Sequence, residues 1–333
     1  MAPLACWLED PATEELCINR PAELFVRRRG RFERHAMPLD VEDLEDIAIL
    51  AGALRKQDVG PETPLCSTEL PDGERLQVVQ PPAVPGGTVS LTIRKPGATV
   101  HGIGAVTGRY AHARWNRWER RGEQRDHSRL LALFDAGTLE PFLQGAVEER
   151  LNILLCGATG SGKTTMSKTL ITAIPPHERI LTIEDTLELV VPQPNHVRLL
   201  YSKGAQSGAK VTAEALLEAS LRMRPDRVLV QELRDAEAAW TYINEVVSGH
   251  PGSITTIHGR NPAQAFKKLF SLVKGSAKGG QWDDSTLTDL LATAADVILP
   301  FENRGTTYEI GEVWFAPDAA RRGETAASLL RDL

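Results

Sequence analysis

The sequence predicts an α/β domain with a doubly wound parallel sheet, preceded by a small α+β domain. Three observations predict it. A glycine-rich stretch, Gly157-Ala158-Thr159-Gly160-Ser161-Gly162-Lys163-Thr164-Thr165, sits between an apolar run and a helical stretch. From residue 129 onward, short β-branched runs alternate with helical periodicity. The residues before 106 instead carry hairpin signals around one amphipathic helix. The expected boundaries are 1–105 for the first domain, 106–128 for a linker and 129–333 for the second.

Composition narrows the field. The chain has 333 residues, 42% hydrophobic and 25% charged, as a globular protein does. No apolar run approaches the roughly 20 residues of a bilayer-spanning helix. The N-terminus meets acid early and lacks a basic leader, so it is a poor signal peptide. Cys6, Cys17, Cys66 and Cys156 are scattered, which argues against a zinc module or a disulfide framework. A reducing cytosol is the expected compartment. The net charge of −6 predicts no direct nucleic-acid binding.

Each element has a local reason. Residues 1–39 read as a short helix and then a hairpin about Gly30. Asp40 is the expected N-cap of a helix, with Asp43 in its first turn and Leu44, Ile47, Ala48 and Leu54 on one face. Residues 65–70, 75–79 and 88–93 read as strands. Between 109 and 125, six arginines, Arg109 and Arg114 among them, interleave with Trp115 and Trp118. That segment reads as a linker helix packing on a neighbour, a contact for anionic lipid or an acidic partner, or a source of phosphate-binding arginines. Helices are expected at 128–136 and 139–149. Strand, loop and helix follow to Ile174, where Pro175-Pro176 stops them. Strands are expected at 179–183, 197–201, 227–232 and 253–257. Between and after them come helices at 212–223, 236–248, 262–274 and 285–295. A last strand at 295–299 leads to a hairpin about Asn303-Arg304-Gly305.

The glycine stretch fits G-x-x-x-x-G-K-[ST], the phosphate-binding loop. Its backbone N–H groups and the helix dipole would face a phosphate. Lys163 would reach the β- and γ-phosphates, and Thr164 would hold Mg²⁺. Ligands of an open parallel sheet gather at the carboxyl ends of its strands. Three further strands here end in Glu184-Asp185, Glu232 and His258. Glu232 follows an apolar strand, as a Mg²⁺-holding or water-polarising acid does. Glu184 and Asp185 repel each other unless neutralised, and bound Mg²⁺-nucleotide would neutralise them. Glu184 is thus a candidate metal residue, and Glu188 a candidate base for water. His258 could donate to a γ-phosphate oxygen. His250 reads equally as a turn residue. Arg222, Arg224 and Arg234 are expected to pair with Glu184, Asp185 and Glu232.

In this order, the four segments resemble the secretion superfamily of hexameric ATPases, and most of all the traffic ATPases of type IV secretion and conjugation systems. The likeness rests on residues 151–165, on 183–189, on 221–234 and on 249–258. Glu15–Pro21 and Ser90–Pro96 add to it in the first domain. The resemblance implies a RecA-like P-loop domain, with ATP and Mg²⁺ as its ligands. It implies a homohexamer with nucleotide bound between the two domains. It matches the roles argued for Lys163, Thr164, Glu188, Glu232 and His258. It implies arginines reaching the nucleotide from the first domain or a neighbour, with Arg94 fitting best and Arg109 and Arg114 as alternatives. Expected partners are other secretion-channel ATPases and inner-membrane channel components, with peripheral contact at the cytoplasmic face of the bacterial inner membrane. Gln231 and Asp235 depart from the family's Gly-Glu-Leu-Arg-Gly; Asp235 would compete for Arg234, and slower or differently regulated turnover is the expectation. The rivals are a type II secretion or pilus motor of the same superfamily, and a nucleotide-gated scaffold with negligible hydrolysis.

Overall fold

The computed structural model describes residues 2–97, 126–202, 211–247 and 249–331. Arg109, Arg114 and nearly all of the expected linker lie outside the described residues.

The first part is an antiparallel sheet backed by one long helix. Helix α1 (Ala5–Glu9) leads to β1 (Thr13–Ile18), β2 (Glu23–Arg28) and β3 (Arg31–Ala36). Helix α2 spans Val41–Leu54, followed by β4 (Leu65–Glu69), β5 (Arg75–Val79) and β6 (Ser90–Arg94). The strand order is β3-β2-β1-β6-β5-β4. Asp40 caps α2 in a reciprocal box. Its carboxylate accepts from Asp43 N at 2.9 Å, and the Asp43 carboxylate accepts from Asp40 N at 3.1 Å. Strand β1 lay hidden in the sequence. Its charged start, Glu14-Glu15, masks a short apolar run, and only pairing with β2 and β6 makes it a strand.

Alternation gives this sheet two buried faces. Leu16, Ile18, Leu91 and Ile93 face α2, packed with Leu44, Ile47 and Ala48. Glu15, Cys17 and Thr92 face the other way, toward the second domain. There Arg179 is fully buried. Its guanidinium donates to Asn19 Oδ1 at 2.7 Å, to Met223 O at 2.9 Å and to Asn195 Oδ1. Backbone joins the same seam through Leu200 N and Ala83 O, at 2.8 Å.

The second part begins with α3 (Ser128–Asp135) and α4 (Leu139–Glu148). Strand β7 (Ile153–Gly157) and α5 (Lys163–Thr172) flank the glycine loop. Then come β8 (Ile180–Glu184), β9 (His196–Leu200), α6 (Ala213–Ser220), β10 (Arg227–Val230) and α7 (Ala236–Thr241). Strand β11 (Ile254–Ile257), α8 (Pro262–Lys274), α9 (Asp284–Leu291), β12 (Val297–Asn303) and β13 (Tyr308–Ile310) follow. The chain closes with β14 (Trp314–Phe315), α10 (Ala316–Arg321) and α11 (Ser328–Arg331). The helix expected over 236–248 changes pitch: residues Tyr242–Val247 form a π-helix.

The parallel sheet is not one ladder. Strands run β10-β8-β9 in one sheet and β11-β7-β12-β13 in the other. Side-chain hydroxyls bridge the seam between β10 and β11. Ser253 Oγ donates to Val228 O at 2.7 Å, and Thr256 Oγ1 to Gln231 O at 2.9 Å. Both faces are covered. Leu154, Cys156, Val228 and Val230 pack into one core, while Ile153, Leu155, Leu229 and Leu299 pack into the other. That doubly buried layer explains why its strands read as unbroken apolar runs.

Replacing Arg179 with methionine leaves Asn19 and Met223 oxygens unpaired in the interdomain seam. Equilibrium urea unfolding of Arg179→Met is expected to show a loss of about 2 kcal/mol. Unchanged stability would mean that the seam does not depend on this guanidinium.

Candidate active site

The glycine loop leaves the carboxyl end of β7 and enters α5. Gly157 has no room for a side chain: an added Cβ would meet Ser161 Oγ at 2.4 Å and Phe301 O at 2.6 Å. Gly160 and Gly162 hold φ of +75° and +99°, which L side chains rarely adopt. Lys163 is buried. Its Nζ donates to Gly157 O and Ala158 O, both at 2.8 Å. Burial lowers its pKa, and the Glu232 carboxylate pulls it back up. The neighbouring Cys156 thiol is pushed up to about 12 by burial, so it stays neutral beside the ammonium. Ser161 Oγ is buried with no hydrogen-bond partner. The loop therefore holds the Lys163 side chain against two of its own carbonyls and keeps one buried hydroxyl, Ser161, unpartnered. A phosphate fits that arrangement.

A cavity of about 660 Å³ opens over residues 160–166. Its far wall comes from the terminal hairpin: Phe301, Tyr308 and Ile310, with the charged Glu309 among them. Asn303 Nδ2 donates to Gly160 O at 3.0 Å and so ties that hairpin to the loop. Tyr308 is exposed, with its ring close to Gly162. Sequence reading missed this wall. A tyrosine beyond a glycine turn carries no signal of what it will face.

The acidic strand ends lie beside the loop. Glu232, just past β10, is paired by Arg234, which also reaches Asp185 at 3.3 Å. His258, just past β11, places Nε2 3.0 Å from Glu232 Oε1. That oxygen is buried and accepts no aligned hydrogen bond. Strand β11 lies between the loop strand and β10, and the Glu232 carboxylate still acts on the Lys163 charge.

Glu184 takes a different part from the metal role expected of it. It is fully buried. One oxygen accepts from Thr182 Oγ1 at 2.7 Å, and the other from Glu188 N at 2.9 Å and Leu189 N at 2.8 Å. Arg198 grips both oxygens, at 3.1 and 3.0 Å. With its lone pairs taken, Glu184 anchors the backbone of the Glu188 loop. Glu188 itself is exposed at the strand ends.

Other expectations change as well. Arg94 lines a separate cavity of about 540 Å³ with Arg55, Arg75, Arg222 and Arg224, away from the glycine loop. It faces Glu15, at 3.8 Å. Of the three arginines beside β10, only Arg234 joins the acid group. Arg224 turns to Glu15 at 3.4 Å, because β1 packs against that end of the second domain. Asp235 does not compete for Arg234; it caps α7, accepting from Ala238 N at 2.9 Å. His250 is partly buried, with a lowered pKa from that burial, and sits near Arg224 as a turn residue.

The residues fit a nucleotide-borne Mg²⁺. Among the described residues no group of three His, Cys, Asp or Glu is arranged to hold a metal by itself. Mg²⁺ needs few protein ligands, since it keeps its waters and takes phosphate oxygens. The Thr164 hydroxyl at the loop and the unspent Glu232 oxygen are donors of the right hardness.

Comparison with known proteins identifies the family. The family described as Type II/IV secretion system protein matches residues 129–299. Protein VirB11 of Rhizobium radiobacter is 61% identical over 332 residues, covering 99% of this chain and 96% of that protein. The chain belongs to the VirB11 family of type IV secretion ATPases. The type IV secretion system protein VirB11 of Brucella suis is 40% identical over 330 residues, covering 96% of this chain and 90% of that protein. The crystal structure of the VirB11 ATPase from the Brucella suis type IV secretion system, in complex with sulphate, superposes with a TM-score of 0.89. It is 39% identical, covering 96% of this chain and 94% of that one. Family membership makes this chain an ATPase and favours type IV secretion over the type II and pilus rivals.

The hairpin wall makes a prediction about the nucleoside. Tyr308→Ala should raise KM for ATP about tenfold while kcat holds, because a stacking surface binds ground and transition states alike. Steady-state kinetics decide it; an unchanged KM would remove Tyr308 from the site.

Proposed function

We propose that this type IV secretion ATPase works as a homohexamer at the cytoplasmic face of the inner membrane. There it couples hydrolysis to substrate transport or pilus assembly, alongside other ATPases and channel components of the system. Among the described residues, no helix is long and apolar enough to cross a membrane. Attachment would therefore run through those partners or through a peripheral surface.

One observation carries the catalytic reading. Parallel strands β7, β8, β10 and β11 deliver the glycine loop, Glu188, Glu232 and His258 to one edge of the layer. Residues 157–165 would cradle the phosphates, with Lys163 leaving its two carbonyls for the β- and γ-oxygens. Thr164 and Glu232 would hold Mg²⁺, which neutralises charge on the β- and γ-phosphates. Glu188 would orient a water and take its proton as the water oxygen attacks the γ-phosphorus and the bond to the β-phosphate oxygen breaks. His258, beside Glu232, would register loss of the γ-phosphate. Within a subunit Arg94 stands at the other cavity, so the reading gives it to a neighbour's nucleotide. Arg109 and Arg114 remain candidates for the same duty.

ATP hydrolysis measured against protein concentration tests this. The specific rate is expected to rise with concentration, vanish in Lys163→Ala, and fall more than about a hundredfold when EDTA removes Mg²⁺. A rate independent of concentration would count against the hexamer. Failure to bind ATP would remove the site altogether.

A further inference from the structure

We propose that Gln231 is a positioning residue that aims the Glu188 carboxylate. The inference rests on reading Glu188 as the base for water. Gln231 stands where the family pattern has glycine, so the sequence presents it as a departure that slows turnover. Its geometry says otherwise.

The Gln231 backbone is pinned from both sides. Its N–H donates to Ile183 O at 2.9 Å, and its carbonyl accepts from Thr256 Oγ1 at 2.9 Å. Its side chain then spans to the neighbouring strand end. Oε1 accepts from Asp185 N at 3.1 Å, and Nε2 donates to Glu188 Oε2 at 3.0 Å. This satisfies one orientation of the amide at both ends, so the donor toward Glu188 cannot flip away without losing the Asp185 bond. Glu184 holds the Glu188 backbone N–H at 2.9 Å. The loop is thus fixed at its main chain by one residue and at its carboxylate by another. An exposed glutamate otherwise samples several rotamers, and only some of them face a water beside the loop. A glycine at 231 offers neither bond.

The clamp also joins two acid groups. Glu188 meets Gln231, Gln231 meets the Asp185 backbone, and the Asp185 carboxylate meets Arg234, which holds Glu232. Positioning of the base is therefore mechanically tied to the strand that carries Glu232.

Three variants of the full chain test this, each compared with wild type for kcat, KM for ATP, assembly and thermal midpoint. Gln231→Met keeps the bulk and removes both bonds. It should lower kcat about tenfold or more, with KM within about twofold. Gln231→Glu keeps an acceptor for Asp185 N but sets a carboxylate against Glu188. It should fall at least as far, and it serves if the methionine variant does not fold. Glu188→Gln should be inactive. If Glu188→Gln is inactive while both Gln231 variants turn over like wild type, the positioning role is overturned and the base stands. If Glu188→Gln turns over like wild type, the base reading fails and takes the clamp with it. A loss confined to KM, assembly or melting would make Gln231 merely structural and overturn the inference.

Discussion

A buried carboxylate must collect its donors, and the one on Glu184 does so at the end of β8. Four groups converge on it: the Thr182 hydroxyl, the Arg198 guanidinium and two successive backbone N–H groups. Losing any one would leave a charged oxygen short of a partner in a dry place, which is costly. That demand sets the path of residues 185–189. The path places Asp185 against Arg234 and Glu188 against Gln231. The exposed, reactive part of the site therefore hangs on a buried, unreactive part.

Register does the rest. Val230 pairs with Ile183 in the parallel ladder of β10 and β8, so Gln231 emerges level with Glu184. Ile257 pairs with Cys156 across β11 and β7, so His258 emerges level with Gly157. A one-residue slip in either ladder would turn every side chain to the other face and separate the groups. The two cores on either side of the layer resist that slip, because each strand feeds both. The first domain is braced by the same logic. Alternation on β1 and β6 sends one set of residues to α2 and the other to Arg179.

Much of this was legible in the residues. The glycine loop, the helix capped by Asp40 and the strands ending at Glu184, Glu232 and His258 all follow from local pattern. Asp235 illustrates the boundary. As one residue of a motif it looked like a competitor for Arg234; as the residue before α7 it is an N-cap. Both roles suit an aspartate, and only the backbone's turn into a helix chooses between them. Glu184 and Arg94 mark the same boundary. An acid at a strand end and an arginine in a basic segment announce charge, but not which neighbours will meet it.

The sequence by itself determined the class of fold, the phosphate loop and the family likeness, because these depend on residues close together in the chain. Loop geometry, helix caps and strand patterning are short-range physics. Tertiary structure alone decided which acid is anchor and which is exposed. It alone set the hairpin of Phe301 and Tyr308 across the cavity, and it moved Arg94 to a different one. The hairpin and Arg94 outcomes join residues more than a hundred positions apart, as Asn303 meets Gly160. Such contacts arise from packing two domains and two ladders at once, and no local pattern encodes them.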